Sequence, residues 1–263
     1  MHPLDGARER LKRADENIKN LNREVTDFLA PAPIVTLAVD YDAGEPIITD
    51  EDRETFEKLK QFILSATITL RLKVLTGEII HHLRCAFDHV AWQLSSTDLQ
   101  TNSPNQIEFP VFKDRPKLCG VTKHKISRYC RKIEGISSPA ALARIDSLQP
   151  YKRSNPSRDP LWLIHDMDRI DKHRELILVA CTGQVNVRAN AEIPAIGVIV
   201  PWEVRPRIIQ IIGREKVDMK AEMTVQVALS ELSEREDQPL IPTLQNLLRF
   251  TSNAIESFTE EFS

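Results

Sequence analysis

The hydrophobic period of this chain changes twice along its length, and that limits the folds open to it. Up to about Glu175 the longest apolar patterns recur every three or four positions. From there to about Ser230 they alternate or gather in short β-branched blocks, and helical spacing returns from Leu240. Helical segments at both ends each need a partner for one apolar face. The simplest arrangement is an α+β fold: a helical bundle from the N-terminal, central long and C-terminal helices, with an antiparallel sheet inserted at about 175–230. The chain reads as a single α+β domain, with the bundle in 1–172 plus 240–263 and a β meander in 175–230.

Leu11, Ala14, Ile18, Leu21, Val25 and Phe28 mark an amphipathic helix over about 5–29, stopped by Pro31 and Pro33. Ile34–Val39 and Pro46–Thr49 flank a turn at Asp42-Ala43-Gly44 and read as a hairpin. Residues 52–64 are open between extended chain and a helix, which EDRETFEKLKQF favours locally. A long helix over about 68–94 has a seam of Ile68, Leu72, Leu75, Ile79, Leu83, Ala86, Val90 and Leu94. Gly77 interrupts it and permits close backbone approach. Residues 95–120, with an extended IEFPVF inside, read as a surface loop. Helices are expected near 122–133 and 138–147, and a further one starts at Asp159-Pro160, an N-cap followed by proline at the first helical position. The expected strands are ELILVAC, QVNVRAN, AIGVIVPW, RIIQIIG and MTVQVALS.

Within the long helix, EIIHHLRCAFDHVAW (Glu78–Trp92) holds three of the seven histidines, with no lysine and no acid beyond Glu78 and Asp88. A solvated helix face normally carries lysine and glutamate. A helix that spends its polar positions on His, Arg and Asp places either chemistry or a buried polar network. Arg84 and Asp88, four residues apart, are expected to pair. Glu78, His82, Cys85 and His89 are all competent metal ligands. His82 and His89, however, lie two turns apart, roughly 10 Å along the axis, so no metal and no cofactor is expected.

Arg84-Cys-Ala-Phe-Asp-His89 has the form R-x4-H on a bundle helix, which resembles the signature of the HEPN superfamily, many of whose members are metal-independent endoribonucleases. The resemblance implies RNA as partner and a homodimer. It also implies that Arg84 and His89 are catalytic; Asp88, the expected partner of Arg84, completes the candidate catalytic set. Histidine moves a proton to or from the 2′-hydroxyl or leaving oxygen, and arginine steadies charge on the phosphoryl oxygens. A wider resemblance covers GEIIHHLRCAFDHVAWQL, IEFPVF, LQPY (Leu148–Tyr151) and DPLWLIHDMDRIDKHREL. These are similar to blocks of a widespread, uncharacterised group of bacterial cytoplasmic proteins, which implies one architecture for the four blocks and carries over no function.

In HDMDRIDKHR (His165–Arg174), His173 with Asp166 or Asp168 would make an oriented base, and Lys172 and Arg174 would hold a phosphate. The competing reading is basic residues complementing a helix C-terminus. His81, His82, Lys172, His173 and Arg174 are therefore the candidate substrate-binding residues. A basic run from Lys113 to Lys132, with Asp114 as its only acid, suits a phosphate backbone or a solvated face. The alternative to an RNA-directed protein is a non-catalytic protein-interaction or structural module with a buried His/Arg/Asp network.

Composition narrows the rest. With 8 glycines there is no GxGxxG and no GxxxxGK[ST]. The four cysteines form no CxxC pair and are expected as reduced thiols. A charged N-terminus without an apolar signal region and the lack of a spanning apolar run point to a cytoplasmic protein with no membrane partner.

Overall fold

The computed structural model describes residues 2–40, 45–47, 49–115, 128–182, 186–189, 219–230 and 238–262. These form two compact units. The first comprises 1–22, 70–176 and 241–263, the second 23–69 and 177–240. The fold is α+β, with helical ends and antiparallel strands between them.

The first unit is the helical one. Helix α1 (Asp5–Leu29) contributes its residues up to Asn22 and buries Leu4, Ala7, Leu11, Ala14, Ile18 and Leu21. Helix α3 (Leu70–Leu94) runs through the centre. Helix α8 (Leu240–Glu256) buries Leu244, Leu247, Ala254 and Ile255. The three pack together as the periodicity predicts. Gly6 of α1 lies against the His89 ring of α3, Arg8 of α1 donates to Glu256 of α8 at 2.8 and 2.9 Å, and Phe87 of α3 faces Phe250 of α8 with ring centroids 6.3 Å apart. Short helices α4 (Thr97–Asn102), α5 (Arg128–Ile133) and α6 (Pro139–Leu148) follow. Helix α7 (Pro160–Asp171) then starts as expected, with Asp159 accepting from the amides of Leu161 and Trp162. It packs against α3 at Gly77, where a methyl group would overlap the Asp171 carboxylate.

Two differences bear on the site. The buried part of α3 is far wider than one seam: Thr76, Gly77, Ile80, Arg84, Phe87 and Ala91 are buried beside Leu72, Ile79, Leu83, Ala86 and Val90. Enclosure on several sides leaves little place for lysine between Glu78 and Trp92, which explains the unusual polar composition of that stretch. In addition, IEFPVF is no surface loop. Phe109, Pro110 and Val111 are buried, and Phe109 packs on Phe87 at 4.9 Å and edge-on to Phe258 at 6.3 Å. Aromatic burial here outweighs the polar, proline-containing flanks that suggested a solvated loop.

The second unit carries the strands. Helix α2 (Asp50–Ser65) resolves the open segment in favour of helix. Thr49 and Asp52 form a reciprocal capping box, and the helix buries Leu59. Residues 23–69, read from sequence as part of the bundle, belong with the strands. The strands divide between two antiparallel sheets where one meander was expected. The expected hairpin, β1 (Val35–Asp40) with β2 (Glu45–Ile47), joins β4 (Asn186–Ala189) and β5 (Met219–Met223) in the order β2-β1-β5-β4. The other sheet is β3 (Leu178–Thr182), β6 (Val225–Leu229) and β7 (Gln238–Pro239), with Ala180 opposite Val227. AIGVIVPW, RIIQIIG and the stretch 116–127 lie outside the described residues.

Candidate functional site

A buried extended segment must satisfy its backbone polar groups without a neighbouring strand. In IEFPVF, side chains do this. Arg84 and Asp88 pair at 2.9 Å, as their spacing predicts, and together they serve one residue of the segment. Asp88 accepts from the Phe109 amide at 2.9 Å, and Arg84 donates to the Phe109 carbonyl at 2.9 Å. Gln149 repeats the pattern further on. Its Nε2 donates to the Pro110 carbonyl at 2.8 Å, and its Oε1 accepts from the Phe112 amide at 3.1 Å. Arg84 and Gln149 are 3% and 0% exposed. The two clasps hold the segment the way a paired strand would.

Charge around this clasp is balanced at close quarters. Glu108 lies 3.8 Å from Arg84 and pairs with Lys132. Burial pushes the Glu108 carboxyl up, but the Lys132 hydrogen bond and charge, with Arg84, outweigh it and leave the group below its usual range. Burial also raises Asp88, against the opposing pull of Arg84 and the Phe109 amide. His165 of α7 faces the same cluster; burial, then the charges of Arg84 and Lys132, push it down to about 4. Arg84 Nη1 is buried with no hydrogen-bond partner among the described residues.

The two ends of the R-x4-H motif do not share a face. Five residues of α-helix turn about 140° beyond a full turn. Arg84 points into the clasp, whereas His89 lies against Gly6 of α1. Burial and then the charge of Arg10 lower the His89 ring below its ordinary value. His82, on the same side, reaches Arg10 at 3.5 Å and is lowered by burial, Arg10 and His81.

His81 lies between these groups and turns toward α7. Its Nδ1 is 3.0 Å from Asp168 Oδ1, and its Nε2 is 3.3 Å from Cys85 Sγ. Asp168 is 5% exposed at its side chain and also accepts from Lys172 at 2.6 Å. Asp166 pairs instead with Arg169 at 2.6 Å. The histidine oriented by an α7 carboxylate is therefore His81. His173 and Arg174 are exposed just beyond the end of α7. In the basic middle segment, Lys152 pairs with Asp146 at 2.6 Å, and Lys113 lies over the Trp162 ring at 5.6 Å.

Sequence reading missed Gln149 and the His81–Asp168 contact. The first could have been found by asking what satisfies IEFPVF once its aromatics are counted as core. The second joins residues 87 apart and has no local signal. The expectation of four reduced thiols needs correction: Cys85 and Cys181 are in no disulfide, but Cys130 is disulfide-bonded. Among the described residues, no three His, Cys, Asp or Glu side chains converge as metal ligands, and no helix is long and apolar enough to cross a membrane.

No family model, curated protein or solved structure matches the chain. Its class accordingly rests on the fold: an α+β protein with a helical unit whose central helix clasps a buried extended segment.

Proposed function

We propose that Arg84 and Asp88 are structural and that the helical unit is an interaction module, which departs from an Arg/His nuclease. The observation behind this reading is the enclosure of Arg84. It is 3% exposed, and its Nη2 is committed to Asp88 and the Phe109 carbonyl. An arginine that steadies a phosphodiester must reach it. The test is incubation of the purified protein with total RNA, with and without chelator. The proposal expects no cleavage in either arm. Metal-independent cleavage lost in His89→Ala would overturn it.

A second reading, HEPN-like RNA binding, is favoured by Arg10 standing beside both His82 and His89. On that reading a homodimer would extend the face, and Lys172, His173 and Arg174 would add phosphate contacts. Its test is salt-dependent RNA retention that weakens in Arg10→Ala. A cytoplasmic location is part of the proposal. It rests on the block resemblance, and the Cys130 disulfide, a bond more common in oxidising compartments, pulls against it.

A further inference from the structure

His81, Cys85 and Asp168 stand in the order of a nucleophile, a base and a group that orients the base. The helix supplies the first contact, because residues four apart stack on one face and bring Cys85 Sγ to 3.3 Å from His81 Nε2. The second contact comes from α7, where Asp168 holds His81 Nδ1 at 3.0 Å. A carboxylate only accepts, so Nδ1 carries the proton and Nε2 presents its lone pair to the thiol. Asp168 is itself fixed by Lys172 at 2.6 Å. The imidazole is 49% exposed and the thiol half-buried, so a small molecule can reach the pair.

We propose that Cys85 is a nucleophilic thiol, with His81 as its base and Asp168 as a positioning residue, that takes the acyl group of an activated ester or thioester. His81 Nε2 removes the thiol proton as Sγ attacks the carbonyl carbon. A C–S bond forms, and the carbonyl electron pair moves to oxygen. The pair then returns, the bond to the leaving group breaks, and that group departs with the proton held by His81. The products are S-acyl-Cys85 and the free alcohol or thiol. Water reverses the sequence: His81 takes its proton, the oxygen attacks the thioester carbon, and the C–S bond breaks. The thiol recovers the proton, and a carboxylic acid is released.

The surroundings fit base-assisted attack better than a resident thiolate. Burial raises the Cys85 thiol; Asp88 of α3 and Asp168 of α7 add to that, while Arg10 of α1 and Lys172 oppose it. A thiol held protonated depends on a neighbouring base at the moment of attack, as a serine hydroxyl does. Arg10 and Lys172, acting on Cys85 from the α1 and α7 sides, favour an acyl donor that carries negative charge. This assignment goes beyond the interaction-module reading, which gives no covalent role to any residue.

The test is acylation of the full chain by p-nitrophenyl acetate at neutral pH, resolved by peptide mass spectrometry. Cys181 is the internal control, a half-buried thiol, in no disulfide, that receives a hydrogen bond from Gln226. Cys85 should acylate at least about 10-fold faster than Cys181, and His81→Gln should slow it about 100-fold. Asp168→Asn presents a donor to the ring and reverses its tautomer, so the rate should then rise only in proportion to hydroxide, with no plateau in its pH profile. A purely structural Asp168 would leave that profile unchanged. His81 is half exposed, so His81→Gln keeps the fold and decides the matter even if Asp168→Asn does not fold. Equal rates at Cys85 and Cys181, or an unchanged rate in His81→Gln, would overturn the proposal.

Discussion

Replacing Arg84 by alanine should destabilise the protein by about 3 kcal/mol, and the structure gives the parts of that figure. The Phe109 carbonyl loses its donor in a buried position, which costs about 1 kcal/mol. Asp88 loses its counter-ion. It is 36% exposed and keeps the Phe109 amide, so the cost falls below the full penalty for breaking a buried pair, at about 2 kcal/mol. Loss of the buried aliphatic stem adds about 1 kcal/mol, and removal of the unpartnered Nη1 returns about as much. Urea denaturation followed by circular dichroism should show a lower midpoint with an unchanged slope. Arg84→Lys should recover only part of the loss, because one ammonium cannot hold Asp88 and the carbonyl in a fork. In an Asp88→Asn background, the Arg84→Ala cost should shrink by about 1.5 kcal/mol, a coupling read by the double-mutant cycle. His89→Ala, outside the clasp, should cost under about 1 kcal/mol. An Arg84→Ala protein within about 1 kcal/mol of the parent would refute the reasoning and return Arg84 to an open, functional groove.

Gln149→Ala strips partners from the Pro110 carbonyl and the Phe112 amide and should cost about 2 kcal/mol in the same assay; a loss under about 0.5 kcal/mol would remove the second clasp. Gly77→Leu must displace Asp171 from the α3–α7 contact and should cost about 2 kcal/mol, seen as a lower Tm. His165 is pushed down to about 4 from an ordinary 6.5, so the stability it confers is complete above 6.5 and is lost as pH falls toward 4. Allowing for its partial exposure, that loss is on the order of 2 kcal/mol, and it should vanish in His165→Gln; Asp88, raised by burial, works in the opposite direction and is common to both proteins.

The main helices were legible because their signals are local. Leu11 to Val25 repeat at helical spacing, Asp159-Pro160 starts α7, and Arg84–Asp88 follows from a four-residue separation. Thr49 with Asp52 settled a segment that periodicity left open. What the chain did not disclose depends on distant residues meeting. Nothing within IEFPVF announces that Arg84, Asp88 and Gln149 will hold it, and polar neighbours made a buried segment resemble a loop. The assignment of 23–69 to the strand-bearing unit likewise rests on long-range pairing, as between Val35 and Met223. The R-x4-H spacing is local in sequence, but helix geometry separates its ends. In the structure α3 holds IEFPVF, Gln149 of LQPY also holds it, and Asp168 of α7 holds His81.

Amide hydrogen exchange at Phe109 tests the central claim most directly, because the claim is that Asp88 and Arg84 stand in for a neighbouring strand. The account predicts that the Phe109 amide exchanges as slowly as amides in the middle of α3, although it lies in no helix or sheet. It also predicts that Asp88→Ala releases Phe109 while Phe112, held by Gln149, keeps its protection. Fast exchange at Phe109 in the parent protein would contradict it.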